Sequence, residues 1–196
     1  AYFQIGSLTV PSVWLSVILA LAGTALIGRY VLKQNTDLLW NGFFYYVLIW
    51  KISYIFFYFD LFRQSPFSLL YFHGGIKGHF LALFFLAVYF FIVRKKDRKA
   101  NKGALAQFLL FFAGYEIFSA MFEKQFTCSI LYMILFIGII FFLFYLNKKG
   151  KELTKDYFLL FVAASFLLLS IFRPLFSLES LSFLWLGMVI YFFQNK

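Results

Sequence analysis

The sequence predicts an all-α, polytopic membrane protein with seven transmembrane helices. Of its 196 residues, 63% are hydrophobic and only 13% are charged, which is more apolar than a soluble domain. Several apolar runs approach the length of a bilayer crossing. The run 130–146 is apolar at every position, whereas a membrane β-strand would alternate apolar and polar residues, so the spans are predicted to be helices. Residues 1–196 are therefore expected to form a single integral membrane domain.

The predicted spans follow the apolar runs in order. Arg29 and Lys33 come after the first run, whereas the basic residues of a signal peptide precede its core, so this run is predicted to be a true span. The stretch from Asp60 to Gly78 contains Pro66 and a glycine cluster, which indicates a re-entrant loop before the third span. The seven predicted spans are Leu8 to Val31, Leu39 to Phe59, Gly78 to Val93, Ala104 to Phe122, Cys128 to Leu146, Tyr157 to Phe172 and Leu178 to Phe193.

The basic residues predict the orientation. Thirteen of them fall on one side of the seven predicted spans, which places the N-terminus outside and the C-terminus in the cytoplasm. Topology and attraction to anionic lipids therefore explain the net charge of +10, and a nucleic-acid partner is not expected because no soluble domain is large enough to bind one. The thirteen are Arg29, Lys33, Arg94, Lys95, Lys96, Arg98, Lys99, Lys102, Lys148, Lys149, Lys151, Lys155 and Lys196; the opposite side has Arg63, Lys77, Lys124 and Arg173.

Ionisable residues inside or beside the spans are the candidates for function, because burying them in a membrane is costly. Both histidines, His73 and His79, lie in one short segment that also contains Gly74 and Gly75. Topology places five of the candidates near the outer leaflet, where they are expected to converge on one pocket. These five are Arg63, His73, Lys77, Glu123 and Arg173.

Each candidate also has a structural interpretation. His73 is either functional or a cap of the third helix, and His79 is predicted to be a structural hydrogen-bond donor inside the bundle. Arg173 either snorkels to the interface or binds a phosphate. Lys51 and Glu116 could form a buried ion pair.

Metal and disulfide chemistry are not expected. Two histidines without a neighbouring cysteine or carboxylate make a poor metal site, so no metal and no cofactor are predicted. The single cysteine, Cys128, excludes an internal disulfide and is predicted to be a packing residue.

The motif Tyr71-Phe72-His73-Gly74-Gly75, preceded by Ser65-Pro66, resembles the Phe-His-Gly-Gly loop of prolipoprotein diacylglyceryl transferase. That seven-span bacterial enzyme moves the diacylglyceryl group of phosphatidylglycerol onto the lipobox cysteine of a secreted preprotein. The segment 5–10 is similar to the opening of the family, and Ile171-Phe172-Arg173 resembles the close of its sixth span. The resemblance covers almost the whole chain, without the larger periplasmic insertions of the family.

One family signature is degenerate in this chain. Where the family has Gly-Arg-x-Gly-Asn-Phe-x-Asn-x-Glu, residues 114–123 retain only Gly114 and Glu123, and Tyr115 stands at the position of the arginine. The resemblance implies catalytic positions at His73, Glu123 and Tyr115. It implies phospholipid binding by Gly74, Gly75, Arg173, Arg63 and Lys77.

The resemblance predicts a lipid-modifying transferase at the outer leaflet of a bacterial plasma membrane. Its partners would be a phosphatidylglycerol-like lipid and a lipoprotein precursor. Two alternatives stay open: a family relic that binds lipid or a lipoprotein partner without catalysis, and a small transporter subunit, against which the lack of a visible internal repeat argues.

Overall fold

In the computed structural model, residues 2–5, 8–96 and 103–193 are described, and most of them are helical. A short antiparallel hairpin of β1 (Tyr2–Ile5) and β2 (Leu8–Pro11) precedes the helices. The helices are α1 (Ser12–Leu26, continued by a π-helical turn at Ile27–Val31), α2 (Asp37–Phe57), α3 (Phe59–Gln64), α4 (Ser68–Tyr71), α5 (Gly75–Lys96), α6 (Ala104–Phe122), α7 (Phe126–Lys148), α8 (Lys155–Phe172) and α9 (Leu178–Phe193).

Two predicted segments coincide with observed helices, and the bounds of others are shifted. α6 and α9 have the predicted bounds. α1 begins at Ser12 and not at Leu8, because residues 8–11 pair with β1 and Pro11 stands at the helix boundary. α5 begins at Gly75 and not at Gly78, and α3 and α4 occupy part of the stretch predicted to be a loop. Gly6, Ser7 and the predicted basic residues Arg98, Lys99, Lys102 and Lys196 lie outside the described residues, as do the side chains of Arg94, Lys95 and Lys96.

Five of the described helical segments are long and apolar enough to cross a membrane, and the chain is therefore a multi-pass membrane protein. α2 has 21 residues but is not among the five, and it contains Asp37, Asn41 and Lys51. α9 is apolar but has only 16 residues. The five segments are Ser12–Val31, Gly75–Val93, Ala104–Phe122, Phe126–Lys148 and Lys155–Phe172.

α6 is the central helix of the bundle. In an apolar 18-residue stretch of α6, 78% of the residues are buried, against 33% or less in the corresponding stretches of the other segments long and apolar enough to cross a membrane. α1 and α7 pack along α6, and Phe112 and Ala113 at its centre are completely buried. α2 packs instead along α5, and α9 contacts both α5 and α6. The packing between α1 and α2 is sparse, and a cavity lies between these two groups of helices.

Candidate functional site

The central cavity has a volume of about 750 Å³ and is lined by α1, α2, α5, α6 and α9. Leucine, phenylalanine and other apolar side chains form most of its wall, including Leu83, Leu86 and Phe108. Polar side chains gather where α5 and α9 begin. We call this region the polar end, and it consists of Tyr46, His73, His79, Tyr115, Glu179 and Ser182.

The cavity is long as well as apolar. Its lining extends from Gly75 to Phe90 on α5 and from Tyr115 to Ala104 on the antiparallel α6. At a rise of about 1.5 Å per residue, these stretches are about 22 Å and about 17 Å long. Half of a hydrocarbon core of about 30 Å is about 15 Å. The cavity is therefore at least as long as one membrane leaflet.

A hydrogen-bonded chain of three side chains joins α2, α5 and α9 at the polar end. Tyr46 Oη lies 2.6 Å from His79 Nδ1, and His79 Nε2 lies 2.8 Å from Ser182 Oγ. Ser182 Oγ is also 2.7 Å from the carbonyl oxygen of Leu178. A carbonyl can only accept, so the single hydroxyl proton of Ser182 is donated to Leu178, and His79 Nε2 donates to Ser182. In the neutral imidazole the one ring proton is therefore on Nε2, and Nδ1 accepts from the Tyr46 hydroxyl.

His73 lies just before α5, and its ring forms part of the cavity wall. Its Nδ1 accepts a hydrogen bond of 3.1 Å from the backbone N–H of Gly75, the first residue of α5. In the neutral ring, the proton is therefore on Nε2. Trp50 stacks on the His73 ring with centroids 4.0 Å apart, and its Nε1 donates to the carbonyl oxygen of Gly75 at 3.1 Å. The imidazole is thus fixed in position, and its Nδ1 is already engaged in a hydrogen bond that caps α5.

Lys51 on α2 holds the segment that carries His73. Its Nζ donates to the carbonyl oxygens of Leu69 and Phe72, both at 3.3 Å. Burial of the ring, together with the nearby Lys51 ammonium, lowers the pKa of His73 below its ordinary value of 6.5. His73 is therefore neutral at pH 7, with an N–H group available as a donor.

Two glycines allow this segment to approach α2 closely. A Cβ atom on Gly74 would lie 1.9 Å from Ser53 Oγ, and one on Gly78 would lie 2.2 Å from the same oxygen. Gly74 N also donates to the carbonyl oxygen of Trp50 at 3.1 Å. Gly75 has a φ of +60°, a backbone conformation that favours glycine. The His-Gly-Gly motif therefore works here as a tight connection between α2 and α5.

Arg173 follows α8 and lies among three carboxyl groups. Its Nη2 donates to Glu123 Oε2 at 2.7 Å and to Ser119 Oγ at 3.1 Å. Its Nη1 lies 3.7 Å from Glu116 Oε2 and 3.7 Å from Glu179 Oε2. Burial alone would lower the pKa of Arg173, but the three carboxylates outweigh it and raise the pKa, so the guanidinium stays charged. We call these four charged residues the Arg173 cluster.

The Arg173 cluster corrects one expectation. Glu116 is paired with Arg173, whereas Lys51, its suggested partner, binds backbone carbonyls of the loop. The Arg173 side chain is only 14% exposed, and carboxylates already engage it. Glu179 belongs to both the cluster and the polar end of the cavity, and it therefore connects the two.

The structure brings together only some of the predicted site residues. His73, Gly75 and Tyr115 line the central cavity, and Gly74 is buried beside Ser53. Glu123 and Arg173 lie in the Arg173 cluster, outside the cavity lining. Arg63 and Lys77 do not line it either. Arg63 is exposed, and the Lys77 ammonium lies 5.9 Å from the centre of the Phe57 ring.

Four residues of the site are missing from the sequence-based candidates: Tyr46, Trp50, Glu179 and Ser182. Tyr46 and Ser182 are neutral polar residues of a kind common in apolar helices, and no spacing singles them out. Glu179 is the acidic residue in the first turn of α9 and could have been noticed as a carboxylate next to a predicted span.

The helices and the cavity define the class of this chain: a multi-pass helical membrane protein with a long, mostly apolar cavity whose ionisable and hydroxyl side chains gather at one end. Among the described residues, no group of three His, Cys, Asp or Glu side chains could hold a metal ion. Comparison of the chain with protein-family models, with curated proteins and with solved structures gives no match.

Proposed function

We propose that this chain binds a membrane lipid, with an acyl chain in the central cavity and the head group at the polar end. The observation that carries the proposal is the cavity of about 750 Å³, whose wall is mostly apolar and whose ionisable and hydroxyl side chains gather at one end, with Gln107 near the other. This volume is within the range of about 300–1,000 Å³ that is usual for small-molecule sites. An amphiphile with one long apolar tail matches this distribution of polarity.

The polar end favours a head group that both accepts and donates hydrogen bonds. The neutral His73 ring offers an N–H donor, which suits a phosphate oxygen. The Glu179 carboxylate accepts, which suits a hydroxyl group. A phosphatidylglycerol-like head group has both, and we therefore propose it as the lipid class.

A second candidate is diacylglyceryl transfer from this lipid to the cysteine of a lipoprotein precursor. In that reaction the thiol attacks a glycerol carbon, the bond from that carbon to the phosphate oxygen breaks, and glycerol phosphate leaves while a base takes the thiol proton. His73 at the polar end favours this candidate. Against it, His73 Nδ1 already accepts from Gly75, Arg173 is held by carboxylates and Tyr115 replaces a cation. Binding without transfer is therefore the better-supported function.

The proposal includes a membrane topology. α2 and α9 would cross the membrane with the five longer or more apolar segments, giving seven spans with the N-terminus outside a bacterial plasma membrane. α2 supports this because it packs along α5, and α9 supports it because it lines the same cavity. The segment from α3 to Gly74 would enter the membrane from its outer side as a re-entrant loop.

A matched pair of tryptophan substitutions on α9 tests lipid binding. Leu186 lines the cavity, whereas Leu184 on the same helix is 37% exposed and does not line it. Leu186→Trp should fill part of the cavity and remove most of the phospholipid that copurifies with the protein, whereas Leu184→Trp should retain it. Native mass spectrometry of the detergent-purified protein measures both. Equal lipid retention in the two variants, with equal melting temperatures, would contradict the proposed binding site.

The transferase candidate requires a separate assay. The purified protein is incubated with labelled phosphatidylglycerol and a lipobox peptide, and the native chain is compared with His73→Ala and Arg173→Ala. Lipid retention without labelled peptide supports binding alone. Peptide labelling that is lost in His73→Ala would establish the transferase, and labelling unaffected by that substitution would remove His73 from the catalytic site.

A further inference from the structure

A second cavity lies at the opposite end of the bundle from His73. It has a volume of about 340 Å³ and is bounded by the loop after α1, the start of α6 and the end of α7. Unlike the central cavity, it is lined by many polar side chains. We call it the lysine cavity, and its polar lining is Lys33, Gln34, Asn35, Asn147, Lys151 and Glu152.

Positive charge dominates the lining. Lys33 and Lys151 contribute two ammonium groups, and Glu152 contributes the one carboxylate. Neither of these two lysines is paired with a carboxylate in the described part of the chain. The start of α6 adds further donors, because the first intrahelical bond there runs from Gln107 N to the Gly103 carbonyl oxygen. The N–H groups of Leu105 and Ala106, which line the cavity, precede that bond and have no acceptor within α6.

The walls of the lysine cavity are fixed by hydrogen bonds. Gln107 Nε2 donates to the carbonyl oxygen of Asn35 at 2.7 Å, and Asn147 Nδ2 donates to that of Leu32 at 3.3 Å. The loop between α1 and α2 is thereby tied to both α6 and α7. Such a preformed site loses little conformational entropy when it binds a ligand.

We infer that the lysine cavity binds a phosphate monoester or diester. The phosphate contacts Lys33, Lys151 and the N-terminus of α6. A phospholipid head group and a water-soluble phosphate ester share this chemistry. The site is separate from the proposed lipid site in the central cavity, and it gives the protein a second anion-binding position at the other end of the bundle.

Two double substitutions that remove the same charge test the inference. Lys33→Gln with Lys151→Gln removes the cavity cations. Arg29→Gln with Lys148→Gln removes two exposed basic residues that do not line the cavity. Binding of glycerol 3-phosphate and of dihexanoyl phosphatidylglycerol to the detergent-purified protein is measured by isothermal titration calorimetry. Each basic residue is expected to contribute about 1 kcal/mol to binding of the phosphate. Since about 1.4 kcal/mol corresponds to a tenfold change in Kd, the first pair should weaken binding about 30-fold. The control pair should weaken it by less than about threefold, because Arg29 and Lys148 do not line the cavity and solvent and salt screen their charges from the bound phosphate.

The two probes distinguish the source of the phosphate. Binding of both, with the expected loss in the lysine variant, indicates that a free phosphate ester suffices; binding of the lipid alone, with the same loss, indicates a phospholipid head group. Equal weakening in the two variants, or no binding of either probe to the native chain, would overturn the inference. Leu186→Trp should leave glycerol 3-phosphate binding unchanged, so failure at this site is distinguishable from failure of the proposed lipid site.

Discussion

Replacement of Arg173 by glutamine should strongly destabilise the protein. The Glu116 side chain is only 3% exposed, and Arg173 is its charged partner at 3.7 Å. Removing one partner of a buried ion pair costs about 3–5 kcal/mol, because the other charge is left buried without compensation. Glu123 and Glu179 are 36% and 42% exposed, so each of their pairs contributes at most about 1 kcal/mol. Most of the loss should therefore come from Glu116.

A loss of about 3 kcal/mol should lower the melting temperature by about 6–12 °C, at about 2–4 °C per kcal/mol for a chain of this size. Thermal unfolding in detergent micelles, followed by circular dichroism, measures the change. Arg63→Gln removes an exposed arginine and is the control, for which we expect a shift of less than about 2 °C. Glu116→Gln combined with Arg173→Gln should recover at least half of the loss. The reasoning fails if the double variant is as unstable as Arg173→Gln, or if Arg173→Gln behaves like the control.

Two further predictions concern the His-Gly-Gly segment. Because the pKa of His73 is lowered in the folded protein, the unfolded chain protonates this imidazole more readily than the folded chain does. The contribution of neutral His73 to the free energy of unfolding is therefore complete above pH 6.5 and is lost as the pH falls below it. Lys51→Met should raise the pKa of His73 towards 6.5, which NMR titration of the imidazole measures; an unchanged midpoint would exclude the influence of Lys51. Gly74→Ala should destabilise the protein by about 1–3 kcal/mol, because its Cβ atom would overlap Ser53 Oγ. Gly138→Ala meets no atom within 4 Å and should stabilise α7 by about 0.5–1 kcal/mol, and equal thermal unfolding of the two alanine variants would contradict the close approach at Ser53.

The helices were predictable where the apolar runs have clear borders. α6 begins after Gly103, which adopts a φ of +86°, and it ends just before the charged Glu123, so both of its ends are visible in the sequence. The start of α1 was not predictable, because Leu8 to Val10 continues the apolar run although these residues pair as a strand. Strand pairing depends on a partner segment, and an apolar run that is short does not distinguish strand from helix.

The position of the site was predictable in part, because polar residues in an oily chain are few. His73 and Tyr115 do line one cavity, and His79 makes the structural hydrogen bonds expected of it. The partner of Glu116 was not predictable, since the distance between residues of different helices is set by packing. Lys51 was suggested because it is an ionisable residue inside the predicted second span, whereas the fold places Arg173 beside the carboxylate.

The burial of Cys128 makes this chain a suitable background for chemical labelling. It is the only cysteine in the sequence, and its side chain is completely buried among α7 and its neighbours. A water-soluble maleimide should therefore leave the folded native chain unmodified. A cysteine introduced at Phe176, which is 89% exposed between α8 and α9, would give a signal from a single known position. Labelling of that variant in intact cells and in inverted vesicles would then identify the compartment that the polar end faces.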